Sequence, residues 1–105
     1  MADALLFEVD TPLEFRVRVT RSRWSLISEI KHPVMAGKEL AVKSALENPD
    51  EIRQSRTDPR VFLFYKAEHF KRWVCAVAKR EEGAGFLITA YPTDAIKEGV
   101  KVWPK

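Results

Sequence analysis

The sequence predicts an α+β domain, and three observations carry that reading. Residues 5–19 hold two short strand-like runs, residues 20–47 carry helical spacing, and residues 61–91 hold three β-rich runs joined by short turn-like segments. Strands, then helices, then an antiparallel meander is the α+β order. The expected architecture is N-terminal strands and two helices packed on an antiparallel sheet of about four strands. The 105 residues fit one domain, 1–105, with one core and little more.

Each element has its own justification. LLFEVDTPLEFRVRVT reads as two strands around the turn Asp10-Thr11-Pro12. Phe15, Val17 and Val19 alternate with Glu14, Arg16 and Arg18, so one face is buried and the other presents arginine. Thr20 or Ser22 can cap a helix in which Trp24, Ile27 and Ile30 recur at three-residue spacing, with Leu26 near the same side. Pro33 disfavours helical geometry at His32, so this helix should end at about Lys31. Gly37 marks a loop, and KELAVKSALE forms a second helix. Its stripe is Leu40, Val42 or Lys43, and Leu46, with Ala41 and Ala45 allowing close approach. Asn48-Pro49 stops it, Asn being suited to a left-handed cap. Residues 50–53 lead into an extended, arginine-rich connection.

VFLFYK (61–66), RWVCAVAKR (72–80) and GFLITAY (85–91) are rich in β-branched and aromatic residues. AEHFK and EEGAG join them, and the glycines of the second suit a hairpin turn. The first run is apolar on both faces, as a central strand is. In the third, Leu87, Thr89 and Tyr91 share one face by period two, and Phe86, Ile88 and Ala90 the other. The second set reads as the core side, which turns Thr89 and Tyr91 toward the open side. PTDAIKEG has room for one helical turn capped by Thr93 or Asp94, and VKVWPK for a short last strand.

Composition narrows the function classes. Apolar residues make up 46% and charged residues 31%, a globular balance rather than a disordered one. The longest apolar runs fall far short of the roughly 20 residues a membrane helix needs. MADALLFEVD has neither the basic region nor the apolar stretch of a signal peptide. The single cysteine, Cys75, forms no internal disulfide and reads as a small buried thiol, so a reducing cytoplasm is the expected location. The net charge of +3 permits an anionic partner such as RNA without demanding one. FRVRVTRSR (15–23) and RQSRTDPR (53–60) are the candidate phosphate-contact stretches, or equally solvated edges.

No metal motif, phosphate-cradling glycine loop or nucleophile elbow is present, so no cofactor and no metal are expected. What remains is a dispersed polar set: His32 at the first helix end, Arg53, Ser55 and Arg56 before the meander, Tyr65 and Lys66 closing its first strand, and Thr89 and Tyr91 closing its third. Metal-free RNA cleavage needs such a set. One group takes the ribose 2′-hydroxyl proton, another protonates the leaving 5′-oxygen, and cations stabilise the charge gathering on the phosphate. His32 suits base or acid, Arg53 and Arg56 suit a bidentate phosphate grip, and Tyr91 suits proton donation or stacking. Each also has a structural reading. A helix-end histidine faces the carbonyl dipole without any catalysis. Thr89 and Tyr91 are ordinary strand residues, and Arg53 and Arg56 can pair with Glu51 and Asp58. His69 reads as surface, and Trp24, Trp73 and Trp103 as core anchors.

The runs RVRVTRSRW…KHPVM, ALENPDEIRQSRTDPRVFLFYK and GFLITAYPTDAIKEGVKVWPK together resemble the barnase–EndoU–colicin–RelE-like nuclease superfamily, in its phage-associated branch. The resemblance covers about residues 14–105, and NPDEI-R-x-S…DP and ITAYPTD are its more specific parts. It implies N-terminal helices on a four-stranded antiparallel sheet. It further implies a metal-independent endoribonuclease, often the toxin of a toxin–antitoxin pair, with RNA and an antitoxin protein as partners. Carried over by position, the matching polar residues are His32, Arg53, Ser55, Tyr65, Thr89 and Tyr91. The branch pattern has a second histidine where Leu26 stands and a glutamate where Val34 stands. Those departures keep open an inactive interaction module of the same fold.

Overall fold

The computed structural model describes residues 3–105. The chain folds as a compact α+β domain in the order β1 (Leu5–Asp10), β2 (Arg16–Thr20), α1 (Arg21–Ser25), α2 (Glu39–Glu47), β3 (Glu51–Gln54), β4 (Val61–His69), β5 (Arg72–Glu81), β6 (Ala84–Thr93) and β7 (Val100–Trp103). A π-helical segment, Leu26–Lys31, continues α1, and a 3₁₀ turn, Pro33–Met35, follows. The sheet has seven strands rather than about four, in the order β1-β2-β6-β5-β4-β3-β7. It is not wholly antiparallel, because β2 runs parallel to β6 through three residue pairs. The added strands are the short ones: β3 is the arginine-rich connection, paired with β4 on one side and β7 on the other. Among the described residues no helix is long and apolar enough to cross a membrane.

Local chemistry explains the turns. Thr11 closes the β1–β2 turn, its Oγ1 donating to the Phe15 carbonyl at 2.9 Å. The β5–β6 hairpin turns on Glu82 and Gly83, at φ 51° and 85°. Two successive left-handed residues match the twist of the flanking strands, and glycine takes the second at no steric cost. Residues 94–99 form no helical turn, although Thr93 Oγ1 does accept from the Ala95 amide.

The helices follow the sequence reading at their ends and depart from it on their faces. Thr20 caps α1, its Oγ1 accepting from the Arg23 amide, and the helical run ends at Lys31 before Pro33. Trp24 and Ile27 are buried, but Ile30 is 73% exposed. The π-helical winding advances each residue by a smaller angle than an α-helix does, so a three-residue stripe drifts off the core. In α2 the buried positions are Val42, Ala45 and Leu46, whereas Leu40 is 80% exposed. Asn48 ends α2 at φ −133°, outside the left-handed region.

Both helices pack on one face of the sheet. There Phe15, Val17, Val19, Ile52, Phe62, Phe64, Val74, Ala76, Ala78, Leu87 and Ala90 join Trp24, Ile27, Met35, Val42 and Leu46 in one core. A smaller cluster of Leu63, Tyr65 and Cys75 lies on the opposite face, with Trp73, Val77, Tyr91 and Ile96 against it. Leu87 therefore does not share a face with Thr89 and Tyr91. The pairing slips between Val77–Thr89 and Ala78–Leu87, leaving Ile88 as the extra residue of a β-bulge, and the bulge reverses the alternation. Phe86, expected on the core side, is exposed for the same reason.

Candidate functional site

The second face of the sheet gathers most of the predicted polar residues. Its strands present Glu51 and Arg53 from β3, Leu63 and Tyr65 from β4, Trp73, Cys75 and Val77 from β5, and Thr89 and Tyr91 from β6. This face is not bare. Ile96, in the segment between β6 and β7, packs on the Leu63–Tyr65–Cys75 cluster. Tyr65 is left 2% exposed and Cys75 fully buried.

His32 reaches this face through the path of the chain. β2 pairs with β6 only as far as Phe86, so the later part of β6 has a free edge on that side. The chain leaving β2 winds through α1 and the π-helical segment, and the 3₁₀ turn packs against β6. The amide of His32 donates to the Ile27 carbonyl at 2.7 Å, the five-residue step of a π-helix, and closes the segment. The imidazole then lies against the Tyr91 ring, centroids 5.6 Å apart and planes at 47°. Two residues separated by 59 positions in the chain thus meet on one spot.

Tyr91 belongs to a group of three coupled side chains. Burial pushes the Cys75 thiol up from 9.0 to about 12, although the Tyr91 and Tyr65 hydroxyls act on it as hydrogen-bond partners in the opposite sense. Burial likewise raises both tyrosines above their ordinary 10.0, followed by the influence of Cys75 and Glu98. All three are therefore protonated at neutral pH, and Tyr91 offers a hydroxyl that donates rather than a phenolate. Cys75 is correspondingly a poor nucleophile, because attack requires the thiolate.

The remaining predicted residues divide. Arg53 shares the second face but is engaged, its Nε on Glu51 at 2.6 Å and its Nη1 on the Gly99 carbonyl at 3.3 Å. Thr89 is on the same face, and its hydroxyl oxygen is buried without a hydrogen-bond partner among the described residues. Ser55 and Arg56 stand at the far end of the face, around a cleft of about 310 Å³. Asp58 pairs with Arg60 and Lys79, not with Arg56. Lys66 is off the site: it lies on the helix side, beside Ala41 and Ser44 of α2. The stretch from Phe15 to Arg23 is no free phosphate surface on β2, because Arg16 and Arg18 pair with Glu8 and Asp10 across the β1–β2 hairpin.

Sequence reasoning missed Glu98 and Lys97, and named Glu51 only as a partner for Arg53. Glu51 was legible, since period two puts it beside Arg53 and pairing puts it opposite Tyr65. Glu98 and Lys97 were not, because their segment carries no regular period. Among the described residues no three His, Cys, Asp or Glu side chains group as a metal site. No protein-family model, curated protein or solved structure matches this chain.

Proposed function

We propose that this chain is a metal-independent endoribonuclease of RelE- or barnase-like type, acting as the toxin of a toxin–antitoxin pair. The observation that supports the reading is the meeting of His32 with Tyr91, 5.6 Å between ring centroids, on the face that also carries Arg53. In this reading the His32 imidazole takes the 2′-hydroxyl proton as general base. The Tyr91 hydroxyl, kept protonated by burial, gives its proton to the leaving 5′-oxygen as the phosphorus–oxygen bond breaks, and the proton taken up by His32 restores it. Arg56 and Lys97, both exposed, supply positive charge farther along the chain of the substrate. Tyr65 does not touch RNA but packs with Leu63 and Cys75 in the cluster against which Tyr91 lies. An antitoxin would cover the His32–Tyr91 spot.

The second reading is a catalytically inactive interaction module of the same fold. One observation favours it: Arg53 is already occupied by Glu51 and the Gly99 carbonyl, which leaves it fewer donors for a phosphate.

Purified wild type and His32→Ala, incubated with total RNA and a mixed-sequence oligoribonucleotide in EDTA, separate the two. The nuclease reading expects cleavage by wild type and a loss of roughly 10²- to 10⁴-fold in the variant. Equal cleavage by both removes His32 from the chemistry. No cleavage by either, with ribosomes also supplied, selects the interaction module.

A further inference from the structure

We infer that the cleft between the Ser55–Asp58 turn and residues 97–99 is a phosphate-binding subsite. Its carrier is an oligonucleotide backbone, and that second statement rests on the ribonuclease reading. The walls are Ser55, Arg56 and Thr57 on one side and Lys97 to Gly99 on the other, with Leu63 as the floor. Two cations and one acid, Glu98, line it. Arg56 and Lys97 form no ion pair among the described residues, in contrast to Arg16, Arg18, Arg53 and Arg60, each tied to a carboxylate. Positive charge is therefore available here in a way that it is not on β2 or β3.

One hydroxyl of the turn is left free to donate. Ser55 Oγ accepts from the Thr57 amide at 3.2 Å and from the Asp58 amide at 3.4 Å. With both acceptor positions used, its own proton is directed to Thr57 Oγ1, 3.1 Å away. The Thr57 hydroxyl, already an acceptor, keeps its proton for a ligand. A guanidinium, an ammonium and a hydroxyl donor around one opening match the acceptor-only surface of a phosphate.

The opposite wall is held in position. Gly99 has φ 78°, and a Cβ built on it would stand 2.5 Å from the Gln54 carbonyl oxygen. Only glycine lets residues 97–99 lie this close to the end of β3, and the Arg53 bond to the Gly99 carbonyl ties them there. The subsite lies on the same face as Tyr91. Three strand steps separate β6 from β3, which at about 4.8 Å each is about 15 Å. Neighbouring phosphates on one strand stand closer than that. A ligand spanning His32 and this cleft is an oligonucleotide, not a mononucleotide.

The test has two arms on the full chain. In the first, amide resonances of wild type and of Arg56→Gln/Lys97→Gln are followed as inorganic phosphate replaces chloride at constant ionic strength. Saturable shifts confined to residues 55–58 and 97–99, absent in the double variant and retained in Arg56→Lys/Lys97→Arg, support the subsite. Their absence in wild type, or their persistence in the double variant, overturns it whatever RNA does. In the second arm, a cleavage-resistant 2′-O-methyl oligoribonucleotide is titrated at several salt concentrations. The double variant should bind about tenfold more weakly with a salt slope lower by about 1. Phosphate shifts without any RNA binding by wild type overturn the oligonucleotide as carrier and the RNA reading with it. RNA bound equally by wild type and double variant leaves that reading standing and overturns the cleft's part in it.

Discussion

The two faces of the sheet are made from the same strands under different constraints. On β4, Phe62 and Phe64 enter the helix-covered core, while Leu63 and Tyr65 point the other way. On β5, Val74, Ala76 and Ala78 face the helices, while Trp73, Cys75 and Val77 do not. The helix-covered face is almost wholly apolar, with the Phe15 ring 5.8 Å from Phe62 and 6.1 Å from Phe64. The second face buries a thiol and one phenol under Ile96, with a second, half-buried phenol beside them and a histidine against it. Apolar burial stabilises in proportion to area, but buried polar groups must be partnered before they stabilise anything. The difference locates the stability of the domain on one face and its titratable groups on the other.

The two faces should differ most in energy at β4. Phe64→Ala should cost about 3–5 kcal/mol, since it leaves a cavity in the closed core. Tyr65→Phe, one residue on but on the second face, should cost no more than about 1.5 kcal/mol, the scale of one hydrogen bond. Urea unfolding of both variants checks this. Similar costs would mean that the second face bears as much of the fold as the first.

A smaller effect is expected from pH. The Cys75 thiol has its pKa raised by folding, from 9.0 to about 12. Between those values the unfolded chain loses this proton while the fold keeps it, so stability falls as pH rises from about 9 toward 12. Tyr65 and Tyr91 add to the same trend above 10.0. The slope from Cys75 alone approaches about 1.4 kcal/mol per pH unit. Unfolding at pH 7, 9 and 10 should show the decline in wild type and a shallower one in Cys75→Ala. Identical pH profiles would place the thiol in water rather than under Ile96.

Glu51→Gln tests the charge of the second face. It leaves Arg53 without its carboxylate, 2.6 Å away in the native domain. Under the nuclease reading, affinity for a single-stranded oligoribonucleotide should rise several-fold at low salt and lose that gain at high salt. A fall in affinity with the fold intact would make Glu51 a positioning residue for Arg53. The smallest effect is expected at Leu40→Gln, within about 0.5 kcal/mol, because this leucine is 80% exposed. A large loss there would reveal a contact outside the domain.

How much of this was legible depends on the residue. The α+β class followed from period two on β2 and the meander and from the helical spacing of residues 20–47. Pro33 and Pro49 marked the helix ends, because proline's constraint is local. The faces of the helices were less legible. Ile30 and Leu40 fit an α-helical stripe on paper, but the π-helical winding and the packing of α2 turned them to solvent. The bulge at Ile88 was invisible to alternation, since one unpaired residue reverses every face assignment on one side of it. Lys66 was misassigned for a related reason: adjacency to Tyr65 in a strand means the opposite face.

Local sequence sufficed for the class of the fold, the two helices, the meander, and the chemical types available: one histidine at a helix end, tyrosines and a thiol on strands, arginines before the meander. Those are consequences of local sterics and short-range periodicity. It took the folded chain to pair β2 in parallel with β6, to bring His32 against Tyr91, to close Ile96 over Tyr65 and Cys75, and to set Arg56 and Lys97 around one cleft. These juxtapositions depend on strand order and register, which are set by the summed packing of distant segments and leave no periodic trace in the residues they bring together.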